Sequence, residues 1–406
     1  MSQSQKTLWI TVLVTSLSFL GMAFPYPIMA PLFFSEPLYF PAQNLFLPPA
    51  ILYGLTLAAY PFAQFFGSMW LGKISDKIGR KPILKFSILV TSLGFLLSAK
   101  TLYDHNLVLF IFSRFLTGFF EGHVAIARAI AIDLGDEIDK SKSFGWLNAA
   151  ATSGFLIGPL IGGTLADESL STLFNPSLPF VVAAVLGVLS LIIVSIYIQE
   201  PKKNKGSTQS KTTDSNYSLL KNVNIRYLII ASFFVTLSFD VLYQFFPVFL
   251  VERWQFNEFD IAMVTTVLSM FMILSQTILI SKVKRFNRQY IILCGAIIYS
   301  FMLVLTTIPK MPISLYLTFP ILGMCIGLLG TLVPVHVSDQ APNEYQGALM
   351  GILMGSRSLG DAGICILGSI AVNYSYLLPF FLGAITMLIG ACALLFDFKQ
   401  SQKVLN

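Results

Sequence analysis

Charged residues are scarce in this chain, and so are histidine and cysteine. Charged side chains make up 11% of the 406 residues, against roughly 25% in an ordinary soluble domain. No GxxxxGK[ST] segment occurs, so nothing indicates nucleotide binding. The three histidines are isolated from one another, and the four cysteines have no CxxC spacing. We therefore predict no enzyme activity, no metal site and no cofactor.

Apolar residues are abundant instead, at 55% of the chain. A membrane-spanning helix needs about 20 of them in succession, and the chain contains runs of that length separated by short polar breaks. The first run is too long for a cleaved signal peptide, so we interpret it as a span. The twelve predicted spans cover residues 8–33, 48–71, 83–101, 107–132, 145–166, 178–198, 226–250, 259–280, 290–308, 313–336, 347–371 and 376–397.

The positive charges lie almost entirely on one side of this arrangement. The segments at one membrane face hold 20 of the 26 Lys and Arg residues, and those at the opposite face hold 3. Cytoplasmic loops are the ones enriched in Lys and Arg, so we predict that both termini are cytoplasmic. Because the basic residues are dispersed among short loops, the net charge of +6 does not indicate nucleic-acid binding.

A polar segment divides the spans into two sets of six. Residues 199–225 are rich in Lys, Ser, Thr and Asn and cannot bury a core. We predict an N-terminal six-helix half at 1–198, a cytoplasmic linker at 199–225 and a C-terminal six-helix half at 226–406. The predicted fold class is thus an all-α integral membrane protein of twelve transmembrane helices.

The loop after the second span reads GKISDKIGRK at residues 72–81. Gly79 permits a tight turn, and residues 76 and 80 are spaced to pair on one helical turn. This loop resembles the G-x-x-x-D-x-x-G-R-K pattern of the major facilitator superfamily, which implies that family's fold. The matching residues are Gly72, Asp76, Gly79, Arg80 and Lys81. The resemblance also implies a gating latch between conformational states, with Asp133 as a further member and a contact to the start of span eleven.

Span four carries charges within an apolar run. At about 100° per residue, an unbroken helix places Arg114, Glu121 and Arg128 on one stripe and His123 on the opposite face. A charge facing lipid is costly, so the stripe faces a cavity or another helix. A structural ion pair is the alternative to a functional role. Residues 114–118 also resemble the family's R-x-x-x-G pattern, whose arginine is thought to tune a nearby carboxylate. We expect His123 to form a helix-packing hydrogen bond.

Span five contains GFLIGPLIGG at residues 154–163. Glycines four apart form a flat face for close helix contact, and the proline bends the helix. The segment resembles the antiporter signature G-x-x-x-G-P-x-x-G-G of the superfamily, which favours antiport over symport. The residues concerned are Gly154, Gly158, Pro159, Gly162 and Gly163.

Three acids lie near the middle of the predicted spans. Asp361 follows Arg357 by four residues, which predicts a self-contained ion pair with a structural role. Asp240 has no cation within two turns of its own helix, so we predict that it carries the proton, with Glu121 second. The resemblance implies a substrate cavity along spans one, four, seven and ten. The cavity candidates are Met22, Phe24, Tyr26, Arg114, Glu121, Tyr243, Gln244, Arg357 and Asp361.

These features predict a secondary active transporter that works by alternating access and is monomeric. Its partners are a small-molecule substrate, protons and the lipid bilayer, and its location is a cell membrane, the inner membrane of a bacterium. Proton-coupled export of a small organic or amphiphilic compound is the leading hypothesis. Proton-coupled transport of a carboxylate metabolite or siderophore stays open, because Arg114 and Arg357 could bind an anion. A membrane receptor and a membrane enzyme are the remaining alternatives.

Overall fold

The structure is a computed structural model that describes residues 3–35, 38–41, 47–133, 140–198, 200, 223–283, 285–340 and 346–405. All regular elements in these ranges are helical. In chain order, the α-helices are α1 Gln3–Ala23, α2 Tyr26–Met29, α3 Pro31–Phe34, α4 Pro49–Ile78, α5 Arg80–Tyr103, α6 Leu107–Phe120, α7 His123–Asp133, α8 Lys140–Ala166, α9 Leu178–Tyr197, α10 Val223–Trp254, α11 Glu258–Leu274, α12 Ile280–Val283, α13 Arg288–Thr306, α14 Leu315–Asp339, α15 Gln346–Tyr374 and α16 Leu378–Leu405. A π-helix, Ser275–Leu279, joins α11 to α12, and a short 3-10 helix, Pro312–Ser314, precedes α14.

Eleven helical segments in the described ranges are long and apolar enough to cross a membrane. A helix is the form in which a single segment satisfies its own backbone hydrogen bonds in lipid. Large apolar side chains also lie on the outer surface, as at Phe62, Phe66 and Trp70, which are 46%, 44% and 48% exposed and follow one another by four residues. Helix α15 covers the predicted eleventh span, so the structure is consistent with twelve. The predicted all-α membrane fold is confirmed.

The chain divides into two compact units. One comprises Met1–Gly206 with Leu250–Thr266, and the other comprises Ser207–Phe249 with Val267–Asn406. Each unit has a buried helical core; in the first, Leu71, Ile126, Ile130 and Val194 lie together with no exposed surface. Most of the proposed linker lies outside the described residues. The predicted boundaries at 1–198, 199–225 and 226–406, and the cytoplasmic termini, stay predictions.

Candidate functional site

Span four buries a charged cluster in the first unit. Arg114, at 6% exposed, places its guanidinium carbon 4.9 Å from the ring centroid of Tyr60 on α4. Glu121, at 1% exposed, interacts electrostatically with both, and Tyr26 interacts with Arg114. Among the described residues, Arg114 Nη1, Glu121 Oε2 and the Tyr60 hydroxyl make no hydrogen bond of ordinary geometry, although the Tyr60 hydroxyl faces the Glu121 carboxyl group. The prediction that Arg114 and Glu121 face the protein interior is confirmed.

Span four is not one continuous helix. Helix α6 ends at Phe120, and α7 begins at His123, with a turn at Glu121 and Gly122 between them. Gly122 lies against the backbone of Ser68 on α4, where an added Cβ would be 2.7 Å from the Ser68 amide nitrogen. The turn breaks the regular 100° progression on which the predicted stripe depends.

His123 is therefore not opposite Glu121. Both residues line one small cavity between α1, α5, α9 and the turn in span four. The imidazole Nε2 lies 2.8 Å from the hydroxyl of Ser18 on α1, and Nδ1 lies 3.3 Å from the carbonyl of Phe120. The predicted helix-packing hydrogen bond is confirmed, but the predicted orientation of His123 is wrong.

The three candidates from span one differ in exposure. Met22 and Tyr26 are half-buried and lie one turn apart. Tyr26 also packs edge-on against Phe155 of α8, with ring centroids 6.1 Å apart. Phe24 is 1% exposed, and its backbone contacts Gly162, so it belongs to the packing between span one and α8. Their assignment to a substrate cavity stays a prediction.

The second unit contains a different ion pair from the predicted one. Arg357 of α15 donates to Asp240 of α10, with 2.9 Å between Nη2 and Oδ1. Asp361 instead accepts a hydrogen bond from the Gln244 amide at 3.0 Å and lies 3.8 Å from the Cys365 sulfur. The predicted self-contained Arg357–Asp361 pair is wrong, because α10 offers Arg357 a carboxylate on the adjacent helix.

This arrangement also removes the reason for choosing Asp240 as the proton carrier. Its cation comes from another helix, which spacing along α10 alone cannot reveal. Asp240 is 5% exposed, and its second carboxyl oxygen has no partner among the described residues. Tyr243, the other candidate on α10, donates its hydroxyl to the sulfur of Met272 at 3.6 Å.

The junction between α4 and α5 contains the ion pair that the spacing of Asp76 and Arg80 predicts. Arg80 Nη1 lies 2.6 Å from Asp76 and 2.8 Å from the hydroxyl of Ser75. Gly79 has a φ of 129°, a conformation that side-chain-bearing residues rarely adopt, so the predicted tight turn is confirmed. The side chain of Asp133 lies outside the described residues. Its part in the latch, and the latch contact with span eleven, stay predictions.

One residue of this loop environment was not predicted. Glu200, which follows α9, accepts hydrogen bonds from the backbone amides of Arg80 and Lys81 at the start of α5. A carboxylate there satisfies free amides and complements the positive end of the helix dipole. Lys81 in turn donates its ammonium group to the carbonyl of Ser195 at 3.0 Å. A single acid beside the lysines after span six is the sequence signal that indicates Glu200.

Replacing Asp76 by asparagine is expected to slow transport while leaving substrate affinity nearly unchanged. The change removes the anion that holds Arg80, but it alters no residue of the two buried clusters. Transport rate and substrate binding, measured separately on purified protein, check this. Asp104→Asn is the matched control, since the Lys100–Asp104 pair has the same spacing and is exposed. A variant that loses binding alone would contradict the latch assignment.

The glycines of span five pack against span one. A Cβ added at Gly154 would collide with Phe19 and Leu20 of α1, and one added at Gly158 would collide with Ala23 of α1. A Cβ added at Gly162 would collide with Phe24, the residue that follows α1. Gly163 faces α11 in the same way, close to the Glu258 carbonyl. Pro159 lies inside α8, which continues through it to Ala166. The predicted close-packing face is confirmed, while its link to antiport stays a prediction.

Gly162→Ala is expected to destabilise the protein by about 1–3 kcal/mol, the usual cost of overpacking. The added methyl group would meet backbone atoms of Phe24, which cannot move aside as a flexible side chain would. Thermal unfolding of the purified variant measures the effect. Gly145→Ala in the same helix is the control, because open space surrounds that position. Equal stability of both variants would contradict the packing account.

Buried charge clusters on spanning helices are characteristic of membrane transport proteins. The Major Facilitator Superfamily model matches residues 11–363, and the chain belongs to this family. It is 27% identical to the tetracycline resistance protein, class B, of Escherichia coli over 338 residues, which cover 80% of each chain. It is 25% identical to multidrug resistance protein 2 of Bacillus subtilis (strain 168), covering 95% of this chain and 94% of that one.

A solved structure supports the fold independently. A D-xylose–proton symporter matches 97% of this chain and 98% of its own, with a TM-score of 0.76 and 16% identity. The family and the relatives are transporters and not enzymes, so the chain is a multi-span membrane transporter. The bacterial relatives agree with the predicted location in a bacterial inner membrane.

Proposed function

We propose that this transporter exports small organic or amphiphilic compounds in exchange for protons, by alternating access. The observation that carries the proposal is the charge balance of the cluster between α10 and α15. Among the described residues, Asp240 is paired with Arg357, whereas Asp361 is bonded to the neutral Gln244 amide, so the cluster has one carboxyl group in surplus. A surplus carboxyl group inside a membrane protein takes up either a proton or an organic cation. Competition between the two couples their movements in opposite directions.

The cluster in the first unit supports the same exchange. Glu121 and Arg114 balance each other in charge, and both are buried. A protonated Glu121 releases Arg114 from its anion, whereas an ionised Glu121 stabilises it. Two of the relatives, a tetracycline resistance protein and a multidrug resistance protein, favour an exported drug-like substrate. The glycine face of span five agrees with the antiporter resemblance.

The test is transport in proteoliposomes under an imposed pH gradient. Tetracycline and a hydrophobic organic cation serve as probes, with energy-independent counterflow measured in parallel. We expect gradient-driven accumulation of at least one probe, and its loss when a protonophore collapses the gradient. Accumulation that is unaffected by the protonophore would exclude proton coupling.

A carboxylate substrate is the second candidate, and the exposure of Arg357 favours it. The side chain of Arg357 is 58% exposed, so a substrate carboxylate could approach it. Citrate in the same assay distinguishes the two candidates. Transport of citrate, with none of the two drug-like probes, would replace the first candidate by the second.

A further inference from the structure

The cavity beside Glu121 contains polar groups that no described residue satisfies. It has a volume of about 20 Å³ and is lined by polar residues from four parts of the first unit, namely Ser18, Thr91, Ser92, Glu121, His123 and Ser190. The Thr91 and Ser190 hydroxyls and Glu121 Oε2 are buried and have no partner among the described residues. These three side chains are 5%, 2% and 1% exposed. Orphaned polar atoms at this depth indicate a bound polar ligand.

The Thr91 and Ser190 hydroxyls differ from neighbouring buried hydroxyls of α5. Ser92, next to Thr91, donates to the Ile88 carbonyl one turn earlier at 2.8 Å. Ser98 donates to Gly94 in the same way at 3.0 Å. Such back-bonding is how a hydroxyl in a helix is usually satisfied. Since Thr91 and Ser190 lack it, their hydrogens need an acceptor that lies in the cavity.

One water molecule matches the number and type of these groups. It accepts two hydrogen bonds, from Thr91 and Ser190, and donates one to the Glu121 carboxylate. The cavity volume also suits one water molecule, which needs roughly 10–15 Å³ of accessible space. A metal cation would supply no acceptor for the two hydroxyl hydrogens.

Each ring nitrogen of His123 is connected to a backbone carbonyl group, Nδ1 directly and Nε2 through the hydroxyl of Ser18. Nδ1 faces the Phe120 carbonyl, and Nε2 faces Ser18, whose hydroxyl also lies 2.9 Å from the Val14 carbonyl. The neutral ring donates from Nδ1 and accepts the Ser18 hydrogen at Nε2. The protonated ring donates from both nitrogens, and Ser18 then donates to Val14. The same heavy-atom positions therefore serve both forms of the ring.

We propose that this cavity is a proton-transfer site, in which one bound water molecule connects the Glu121 carboxyl group to the Ser18–His123 pair. When Glu121 is protonated, its hydroxyl group replaces one of the two hydroxyl donors to the water. Glu121 then gives its proton to the water, and the water gives another to Ser18 Oγ. Ser18 passes its original hydrogen to His123 Nε2, leaving a carboxylate and an imidazolium. No electrons are exchanged, and the reverse sequence restores the starting state. The inference rests on the proposed proton-coupled function.

The local charges set the direction of this transfer. Of the residues that line the cavity, only Glu121 and His123 are ionisable. Outside the cavity lining, Arg114 interacts electrostatically with Glu121 from within span four, and Tyr60 does so from α4. An isolated imidazolium is costly in a site closed to bulk water, so the charged ring forms only together with the Glu121 carboxylate. The pair is a transient proton store beside Glu121.

Infrared difference spectroscopy tests the water site without relying on transport. The C=O stretch of the protonated Glu121 carboxyl group is assigned by its disappearance in Glu121→Gln. In the Thr91→Val/Ser190→Ala double variant, we expect this band to shift to higher frequency, because the carboxyl group loses its hydrogen-bonded water. Ser98→Ala is the control, since its hydroxyl is satisfied within α5 and does not line the cavity. An unchanged band in the double variant would overturn the proposal.

Transport measurements test the transfer itself. We expect the double variant and His123→Gln to lose gradient-driven accumulation by about tenfold or more, as for removal of a general acid–base group. Counterflow should remain, as should both activities of Ser98→Ala. If Glu121→Gln uncouples transport while these variants stay coupled, the relay is wrong and the proposed function stands. If Glu121→Gln stays fully coupled, the part of Glu121 in the proposed function and the relay fail together.

Discussion

Asp361→Asn is expected to abolish proton-driven accumulation while downhill counterflow continues. Its carboxyl group is held by the Gln244 amide and the Cys365 thiol, which are both neutral. The asparagine keeps a carbonyl oxygen to accept from Gln244, so the local hydrogen bond survives. The remaining Asp240–Arg357 pair is balanced in charge, and no surplus carboxyl group is left to bind a proton.

The double variant Asp240→Asn/Arg357→Gln is the matched test of this charge balance. It removes one charge of each sign and leaves Asp361 as the single acid of the cluster. We therefore expect it to retain gradient-driven accumulation, although it changes two residues where Asp361→Asn changes one. Both proteins are measured in proteoliposomes with and without a pH gradient. The opposite result, with Asp361→Asn coupled and the double variant uncoupled, would assign the proton to Asp240.

The difference between the predicted and observed ion pairs has a simple physical cause. Spacing along one helix identifies possible partners within that helix, as it did correctly for Asp76 and Arg80. It gives no information about a carboxylate on the helix alongside. Arg357 is long enough to reach α10, and Asp240 is more deeply buried, so the cross-helix pair relieves the greater desolvation. Packing, which a single sequence does not specify, decided this pair.

Span four shows a second limit of helical periodicity. The apolar run and the charge spacing predict one long helix, and Arg114 and Glu121 are indeed buried together. The break occurs at Gly122, which packs against α4, and a new helix begins at His123. The Gly122–His123 sequence was visible, but a glycine inside a spanning helix is tolerated far too often to predict a break.

The features that were predicted correctly share a local or compositional origin. The length of the apolar runs gave the spanning helices, because a spanning segment satisfies its backbone hydrogen bonds internally. The spacing of Gly154, Gly158 and Gly162 gave the packing face, since small residues four apart lie on one side of a helix. Glu200 was missed because its partners, Arg80 and Lys81, are far away in the sequence.

Arg114→Gln is expected to destabilise the protein strongly and to abolish transport. Arg114 and Glu121 are 6% and 1% exposed, so the change leaves a buried carboxylate without its neighbouring cation. Removing one partner of a buried ion pair typically costs about 3–5 kcal/mol. The variant also lacks the contact between the Arg114 guanidinium group and the Tyr60 ring, which adds to the loss of stability. The apparent melting temperature of the purified variant should fall by several degrees.

The double variant Arg114→Gln/Glu121→Gln separates charge from packing. Because it removes both charges, we expect it to recover much of the stability that Arg114→Gln loses, although it cannot regain proton coupling. Arg288→Gln is the matched control, since its partner Asp339 is 56% exposed and the loss of this pair should cost much less. Melting temperatures of the three variants and the wild type provide the comparison. If the double variant is no more stable than Arg114→Gln, the loss comes from packing against Tyr60, and Arg114 does not stabilise the Glu121 carboxylate.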